Sequence, residues 1–353
     1  MNRNFLVAST KAALVIVSVV VAFLIVELTA RIWYGDFRLI NFPKTAANLL
    51  KKGFPAEFSP HLGYRPRPGL YTDTPWKTTV TIGDHGTRLY DEGEPAVSPV
   101  VLAVGDSFTF GSDVGYGDSW PARLQAVTGL NVINGGVFGY GIDQTILRAE
   151  KLAAVYKPDA IILGFIADDV QRVELSVMYG VAKPIFAISE GELERLNPVL
   201  DPSPQPAHRL ARFTRGVFGY SIFFHHRFKQ FFPQFWMSGM SNVRVHGHGA
   251  EVACALLQKF AAIAGPKKAL LVQYEQQEIS APERPPPVTA LLACVAALDV
   301  EVVDLYVALK QVYATDRAAF SAFYDRHMTA RGNAFVAAEL MKAEALQSLT
   351  AKR

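Results

Sequence analysis

Between residues 98 and 346, short apolar runs alternate along the chain with segments whose apolar residues recur at helical spacing. The strand-type runs are 98–104, 131–133, 159–166, 269–274 and 300–305. The helical segments are 120–127, 142–156, 250–263, 288–298 and 330–346. This alternation predicts an α/β fold with a parallel sheet covered on both faces, because parallel strands need long crossover connections. In such sheets, ligand sites form at the carboxyl ends of the strands.

The charge balance excludes one class of partner. The 353 residues include 35 basic and 32 acidic side chains, which gives a net charge of +3. Nucleic-acid binding requires a basic field that this chain lacks, so no nucleic acid is expected as a partner. The length is ordinary for one large α/β domain with appendages.

The two cysteines, Cys254 and Cys294, each lie in an apolar run typical of a buried helix face. Two packed thiols are favoured over a disulfide, although an oxidising compartment would permit the bond. No CxxC motif or Cys/His cluster indicates structural zinc.

The N-terminal segment is apolar enough to enter a membrane. Residues 12–26 carry no charge, and we predict a transmembrane anchor over residues 5–32. The alternative is a cleaved secretory signal, but residues 27–31 (ELTAR) make a poor cleavage site. Trp33 and Tyr34 follow at the position of an interfacial aromatic belt, which favours an uncleaved anchor. Basic residues flank the segment on both sides, so charge alone does not fix its orientation.

Two further segments do not follow the alternation. Residues 33–97 are rich in proline, glycine and aromatic residues and predict a stalk with a small β lead-in. An insertion at about 173–249 begins with a predicted hairpin at 184–195 and contains a basic and aromatic stretch at 209–236. That stretch is either a lid or membrane-surface helix, or a helical subdomain that packs its aromatic rings on the core. The histidine pairs of the insertion lack carboxylates at ligand spacing, so no metal site is predicted.

A serine follows the first apolar strand directly. The run at 100–104 leads into Gly105-Asp106-Ser107, and Gly111 comes four residues later. A serine at the carboxyl end of a buried parallel strand, between glycines that allow a sharp turn, is exposed where substrate would bind. Gly-Asp-Ser is also ordinary turn chemistry, so the motif needs support from elsewhere in the chain.

That support comes from the C-terminal region. A serine hydroxyl requires a base, and the base requires a group that orients it. Asp325 and His327 lie together ahead of the last predicted helix, for which Thr329 is a suitable N-cap. An imidazole and a carboxylate on one loop meet that requirement.

Four segments resemble, in order, the conserved blocks of SGNH (GDSL-like) hydrolases. They are GDSFTFG with GYGDSWPARLQ, NVINGGVFGYGIDQ, DAIILGFIADDV and DRHMTARGNAFVAAEL, and they cover about residues 99–346. The resemblance implies a flavodoxin-like three-layer fold over residues 98–350. The DxH spacing, residues 59–92 and the predicted hairpin are similar to parts of bacterial membrane-anchored and polysaccharide-acetylating members.

The same resemblance implies a role for each site residue. Ser107 would be the nucleophile, with its backbone N–H as one oxyanion donor and Gly139 as the second. His327 would take the serine proton, and Asp325 would orient the imidazole. The third oxyanion donor of the family is an asparagine, and the matching position here is Asp168. This chemistry requires no metal and no organic cofactor.

An aspartate at the oxyanion position is a departure from the pattern. An ionised carboxylate donates no hydrogen bond and repels the developing negative charge. Burial would have to keep Asp168 protonated, or another donor such as Asn134 would have to replace it. Alternatively, the chain has lost efficient hydrolysis and serves transfer, binding or a structural role.

The expected function is that of a serine esterase or O-acyltransferase. It would act on acyl esters, with acetyl favoured, of a glycan or a lipid through an acyl-serine intermediate. The anchor would hold it in the inner (cell) membrane with the catalytic domain in the periplasm or outside. The alternative is a catalytically weakened SGNH-fold subunit that has an interaction role in a membrane complex.

Overall fold

A parallel β-sheet lies at the centre of the larger part of the chain. The computed structural model describes residues 3–39, 49–50, 53–89, 99–201, 209–232, 235–236 and 242–351. The strands are β1 (Ala56–Ser59), β2 (Gly63–Pro66), β3 (Gly69–Tyr71), β4 (Val80–Ile82), β5 (Val100–Val104), β6 (Asn131–Asn134), β7 (Ala160–Phe165), β8 (Leu175–Met178), β9 (Val181–Ala182), β10 (Phe186–Ser189), β11 (Glu192–Arg195), β12 (Val243–Arg244), β13 (Lys267–Val272) and β14 (Glu301–Asp304). The helices are α1 (Arg3–Tyr34), α2 (Ser107–Phe110), α3 (Trp120–Thr128), α4 (Ile142–Tyr156), α5 (Ala167–Arg172), α6 (Arg209–Phe218), α7 (Ile222–Phe231), α8 (Gly249–Ala261), α9 (Gln276–Ser280), α10 (Pro286–Val295), α11 (Tyr306–Thr315), α12 (Arg317–Ser321), α13 (Ala330–Leu340) and α14 (Glu344–Thr350).

The central sheet has the order β14-β13-β7-β5-β6, and all its neighbouring strands are parallel. Counted from its first strand along the chain, this is the flavodoxin-like order 2-1-3-4-5. The α/β fold with a flavodoxin-like sheet is therefore confirmed. The order reverses at β5, which lies between β6 and β7, and the crevice at the carboxyl ends of β5 and β7 is where such folds bind ligands.

The sheet is buried on both faces. All six residues of β7 are buried, which explains why its sequence is continuously apolar rather than alternating. Helix α3 packs with α13, and α4 packs with α8, which in turn contacts α10. Burial of these apolar side chains is the main stabilising contribution to such a core.

The predicted final helix, 330–346, is in fact two helices, α13 and α14. The backbone N–H groups of Glu344 and Ala345 donate to the carboxylate of Glu301, at 2.6 and 2.8 Å. The first N–H groups of a helix need an acceptor from outside the helix. Because Glu301 supplies it, a new helix begins at Glu344, and this contact is invisible in the apolar periodicity of the segment.

The prediction of two separate thiols is wrong. Cys254 of α8 and Cys294 of α10, which are 40 positions apart in sequence, form a disulfide with their Cα atoms 5.9 Å apart. The bond links two helices that pack against each other. Structural disulfides of this kind persist in oxidising compartments and are rare in reducing ones.

The chain divides into two compact units. The first comprises residues 1–47 and 203–243, and the second comprises 48–202 and 244–353. Helices α1, α6 and α7 belong to the first unit, whereas the central sheet belongs to the second. The predicted insertion at 173–249 is therefore shared, because its hairpin, β10 with β11, lies in the second unit. Between the hairpin and the basic stretch, the Pro-rich residues 201–206 (DPSPQP) fall largely outside the described residues.

The N-terminal helix meets the criteria for a membrane span. Residues Lys11–Tyr34 of α1 are long and apolar enough to cross a bilayer. A signal sequence near an N-terminus meets the same criteria. The predicted lead-in forms two antiparallel pairs, β1 with β2 and β3 with β4. Residues 40–48, 51–52 and 90–97 of the predicted stalk and lead-in lie outside the described residues.

A buried ion pair generates the first prediction. Lys183 and Asp143 are fully buried, and the Lys183 ammonium donates to the Asp143 carboxylate and to the Pro184 carbonyl. Burial lowers the pKa of Lys183, and Asp143 opposes that shift. Lys183→Met leaves the carboxylate buried and unpaired, so we expect a loss of about 3–5 kcal/mol in the free energy of unfolding.

The measurement is chemical denaturation of the detergent-solubilised protein. The double variant Lys183→Met/Asp143→Leu is the control, because it removes both charges and should recover most of the lost stability. A single variant as stable as the double variant would contradict the prediction.

Candidate active site

Ser107 lies at the carboxyl edge of the central sheet, beside the reversal in strand order. Strand β5 ends at Val104, and Asp106 caps the one-turn helix α2 by accepting the Phe108 N–H at 2.9 Å. Gly111 ends that helix in the left-handed conformation, with φ at 79°. The chain thus turns sharply after β5, and Ser107 is the first residue of α2.

His327 reaches Ser107 from the loop before α13. Its Nε2 lies 3.0 Å from the Ser107 Oγ, which is within the range for proton transfer from a nucleophile to a base. The Phe108 ring packs edge-on against the imidazole, with 5.4 Å between ring centroids. Thr329 caps α13 through the Gly332 N–H, as its sequence position suggested. The structure therefore brings together two residues that are 220 positions apart in the sequence.

The carboxylate beside His327 is Asp113, not Asp325. The His327 Nδ1 lies 2.6 Å from the Asp113 Oδ2, and Arg326 pairs with the other Asp113 oxygen. The side chain of Asp325 is exposed, and the backbone N–H of Asp325 donates to the His327 carbonyl at 2.9 Å. This tight turn directs Arg326 and His327 towards Asp113, so the assignment of Asp325 as the orienting group is wrong.

Asp113 owes its position to a distant contact. It has φ at 71°, a left-handed conformation that aspartate tolerates better than most residues. The buried guanidinium of Arg88 donates to the carbonyls of Phe110, Gly111 and Val114 at 2.6–2.8 Å. These bonds fix the loop that carries Asp113. Asp113 lies in the GSDVG loop, six residues after the serine. A search for a carboxylate close in sequence to the histidine therefore misses it.

The backbone N–H groups of Ser107 and Gly139 are the two that the sequence resemblance assigns to the oxyanion hole. Gly139 has φ at 73°, and a Cβ at this position would lie 2.3 Å from the Tyr179 ring, so only glycine fits. Within the described part of the chain, the N–H groups of Ser107 and Gly139 have no oxygen acceptor. Both are therefore available to a substrate.

Asp168 is not a buried acid. Its side chain is 54% exposed and lies 3.6 Å from the Arg172 guanidinium. Asp168 therefore lacks the burial that the first explanation requires. The Asn134 side chain is also engaged elsewhere, because its amide donates to the Phe110 carbonyl at 3.4 Å and its oxygen accepts from Gly136 at 3.0 Å. Neither of the first two explanations for the departure at Asp168 fits.

Arg172 is a second residue that the sequence pattern did not identify. Besides Asp168, it contacts the Asp169 carboxylate at 2.5 Å, the Asp106 carboxylate at 3.3 Å and the Tyr140 carbonyl at 3.1 Å. Burial and the nearby Asp106 raise the pKa of Asp169 well above its usual value, while Arg172 opposes that shift. One guanidinium is thus the counter-charge for three carboxylates.

Asp106 is a second neighbour of the serine. The Ser107 hydroxyl lies 3.2 Å from the Asp106 Oδ2 as well as 3.0 Å from His327. Arg172 and the Phe108 N–H both donate to the same carboxylate. These donors hold the Asp106 carboxylate in place beside the serine hydroxyl, and His327 makes the shorter of the two contacts to that hydroxyl.

Comparisons with known proteins give fold-level likeness only. No family model matches the sequence, and no curated protein matches it. Solved structures that it is similar to include the acetylxylan esterase Axe2 from Geobacillus stearothermophilus, with 15% identity over 72% of this chain and 96% of that chain and a TM-score of 0.41. Others are a member of the lipolytic protein G-D-S-L family from Veillonella parvula DSM 2008 (14%, 69% and 96%, TM-score 0.38) and the lipase/acylhydrolase from Enterococcus faecalis (17%, 72% and 97%, TM-score 0.35). At these identities and TM-scores, the likeness assigns no activity to this chain.

The two candidate carboxylates can be separated by matched substitutions. Asp113→Asn keeps the size of the side chain but loses the charge and favours the wrong histidine tautomer, so covalent labelling of Ser107 by a fluorophosphonate should slow on the order of 10³–10⁴-fold. Asp325→Asn should label at close to the wild-type rate. The measurement is the labelling rate of the two variants beside the wild type. If Asp325→Asn is the slower of the two, the assignment of Asp113 is wrong.

Proposed function

We propose that this chain is a membrane-anchored serine esterase or O-acyltransferase of the SGNH type, with Ser107 as its nucleophile. The observation that carries the proposal is the relay from Ser107 through His327 to Asp113, with contacts of 3.0 and 2.6 Å. The four sequence blocks that resemble SGNH hydrolases support it. The relay lies at the edge of the sheet where this fold binds ligands.

The geometry defines the order of proton transfers. The Nδ1–H of His327 donates to Asp113, which leaves Nε2 to accept the Ser107 proton. The freed oxygen attacks the ester carbonyl and forms a tetrahedral oxyanion. His327 then gives its proton to the leaving alcohol, and an acyl-Ser107 ester remains. Water or a saccharide hydroxyl attacks that ester, again with His327 as base, and Ser107 recovers its proton.

The backbone N–H groups of Ser107 and Gly139 are the proposed oxyanion donors. Each lacks another acceptor in the described residues, and such donors are worth most when no reorganisation is needed. By the sequence resemblance, Asp168 matches the position of the expected third donor. Its contact with Arg172 offsets part of its negative charge, so it hinders the reaction less than an unpaired carboxylate would.

The charge around the serine bears on the substrate. Asp106, Asp168 and Asp169 surround Arg172. An acidic surrounding repels phosphate groups and tolerates neutral esters. Acylated glycans, with acetyl as the acyl group, therefore suit the site better than phospholipids.

Two features support an extracytoplasmic domain on a membrane anchor. Residues Lys11–Tyr34 of α1 are suited to span a bilayer. The disulfide between Cys254 and Cys294 belongs in an oxidising compartment. Together they favour an N-terminus in the cytoplasm and a catalytic domain in the periplasm or outside the cell.

One observation favours a second function. A carboxylate in place of the asparagine removes a donor whose loss typically costs about 100- to 1000-fold in rate. The chain would then be a catalytically weakened subunit that keeps the fold for an interaction in a membrane complex. This alternative and the enzyme differ in the reactivity of Ser107.

Fluorophosphonate labelling tests the nucleophile. We expect the wild type to become covalently labelled at Ser107 and to hydrolyse p-nitrophenyl acetate. Both activities should disappear in Ser107→Ala and persist in Ser280→Ala, which removes a hydroxyl from α9. No labelling and no hydrolysis by the wild type, from mildly acidic to mildly alkaline pH, would favour the interaction subunit.

The substitution Asp168→Asn tests the oxyanion position. It restores an amide donor and removes a negative charge, so kcat for p-nitrophenyl acetate should be preserved or raised, most clearly at high pH. Glu150→Gln is the matched control, because Glu150 is a partly exposed carboxylate paired with Lys259. A large loss of kcat in Asp168→Asn alone would show that the carboxylate has its own role in holding Arg172.

A further inference from the structure

Helix α6 exposes an apolar stripe. Leu210, Phe213 and Val217 recur at helical spacing on one face of α6, and all three are exposed, Phe213 by 69%. The opposite side is occupied, because Ala211 and Arg215 are buried and Arg215 donates to the Trp236 carbonyl at 2.7 Å. Because two of its ten residues are buried and the stripe lies on the exposed side, the stripe marks an interaction surface.

Contacts with α1 fix the position at which helix α7 begins. The Glu27 carboxylate of α1 accepts the Ser221 hydroxyl at 2.6 Å and the Ile222 N–H at 3.0 Å, and so caps the start of α7. Arg31 pairs with Glu27 at 2.8 Å and donates to the Tyr220 carbonyl at 3.0 Å. These contacts set the turn between α6 and α7 beside residues 27–31 of α1.

Residues 27–31 of α1 lie at the edge of the proposed membrane span. The charge-free run ends at Val26, and the Glu27–Arg31 pair follows it. Trp33 and Tyr34 are exposed one turn further on, as interfacial aromatic residues are. The inference therefore rests on the proposed membrane anchor. If α1 spans the bilayer, the hairpin of α6 and α7 starts in the headgroup region.

The charge of the hairpin fits an anionic surface. Residues 209–236 contain five Arg or Lys residues and no Asp or Glu. Arg212, Arg227 and Lys229 are exposed, and the exposed rings of Phe231 and Phe232 follow. Interleaved basic and aromatic side chains are typical of helices that lie in the interface of membranes with anionic lipids.

A pocket adds a place for a lipid chain. It has a volume of about 310 Å³ and is lined by residues of α1 and α7 that include Val26, Ala30, Phe223 and Arg227. Its walls are mainly apolar, with the Arg227 guanidinium among them. This combination accommodates an acyl chain beside an anionic headgroup.

We propose that α6 and α7 form an amphipathic hairpin that lies in the membrane interface and binds anionic phospholipid. The stripe of Leu210, Phe213 and Val217 enters the boundary of the acyl chains. Arg227 and Lys229 contact the lipid phosphates. The hairpin thus adds a second, lateral attachment to the one that α1 provides.

Spin labels on the full-length protein in nanodiscs test the depth of the hairpin. Because the two native cysteines are paired, an added cysteine is the single free thiol. Labels at Phe213→Cys, Arg212→Cys, Val20→Cys and Val307→Cys report on the stripe, the neighbouring polar side of α6, the span and an exposed site of the second unit. Relaxation by oxygen, which concentrates in lipid, is compared with relaxation by a nickel chelate that stays in water.

The label at 213 should prefer oxygen, as the label at 20 does, whereas the labels at 212 and 307 should prefer the nickel chelate. A label at 213 that behaves like the one at 307 would overturn the hairpin proposal while the anchor stands. A label at 20 that prefers nickel would overturn the anchor itself, and the hairpin proposal with it.

The lipid charge is tested in the same protein. Adding phosphatidylglycerol to phosphatidylcholine nanodiscs should move the label at 213 deeper. Arg227→Glu/Lys229→Glu in that background should abolish the shift, whereas Lys151→Glu, an exposed residue of α4, should leave it intact. A depth that is independent of phosphatidylglycerol in the wild-type background would refute binding to anionic lipid.

Discussion

The geometry of the site depends on the buried guanidinium of Arg88. Its three bonds to the carbonyls of the loop after α2 hold that loop against the lead-in segment. The Phe110 ring lies 5.0 Å from the same guanidinium, which adds a cation–π contact. A buried charge that loses its hydrogen-bond acceptors destabilises the fold, so a movement of the loop that breaks these bonds is unfavourable. The position of Asp113, and through it the orientation of His327, follows from this constraint.

A second network controls the electrostatics of the nucleophile. Asp106 caps the helix on which Ser107 lies and also contacts the serine hydroxyl. Arg172 binds Asp106 together with Asp169 and Asp168, so the carboxylate beside the serine hydroxyl has a guanidinium as its counter-charge. Asp168 is the most exposed of the three acids and makes the longest contact with Arg172, at 3.6 Å, so Asp106 and Asp169 are the main partners of the guanidinium.

The parts of the molecule that the sequence predicts are those that local pattern determines. Continuous apolar runs reveal buried parallel strands, and the serine and histidine lie at the ends of elements whose limits can be read from the sequence. Asp113 is different, because its role depends on its own left-handed conformation and on Arg88, which is 25 positions away and binds the loop through backbone carbonyls. The disulfide and the start of α14 at Glu344, which Glu301 caps, likewise depend on contacts between distant segments. The sequence block DAIILGFIADDV identified Asp168 but not its partner Arg172. The pairing depends on which side chains face each other in the folded chain.

On the proposed function, the two units carry opposite charges for different purposes. The hairpin of α6 and α7 is basic without acidic residues and attracts lipid phosphates. The site around Ser107 gathers Asp106, Asp168 and Asp169 against Arg172. An esterase held at a bilayer is surrounded by phospholipid esters at high local concentration, and its acyl-serine chemistry does not by itself exclude them. Acidic groups beside the nucleophile repel the phosphate of a phospholipid, whereas a neutral acylated sugar meets no such penalty. Charge thus allows the hairpin to bind phospholipids of the membrane, while the site around Ser107 rejects them as substrates.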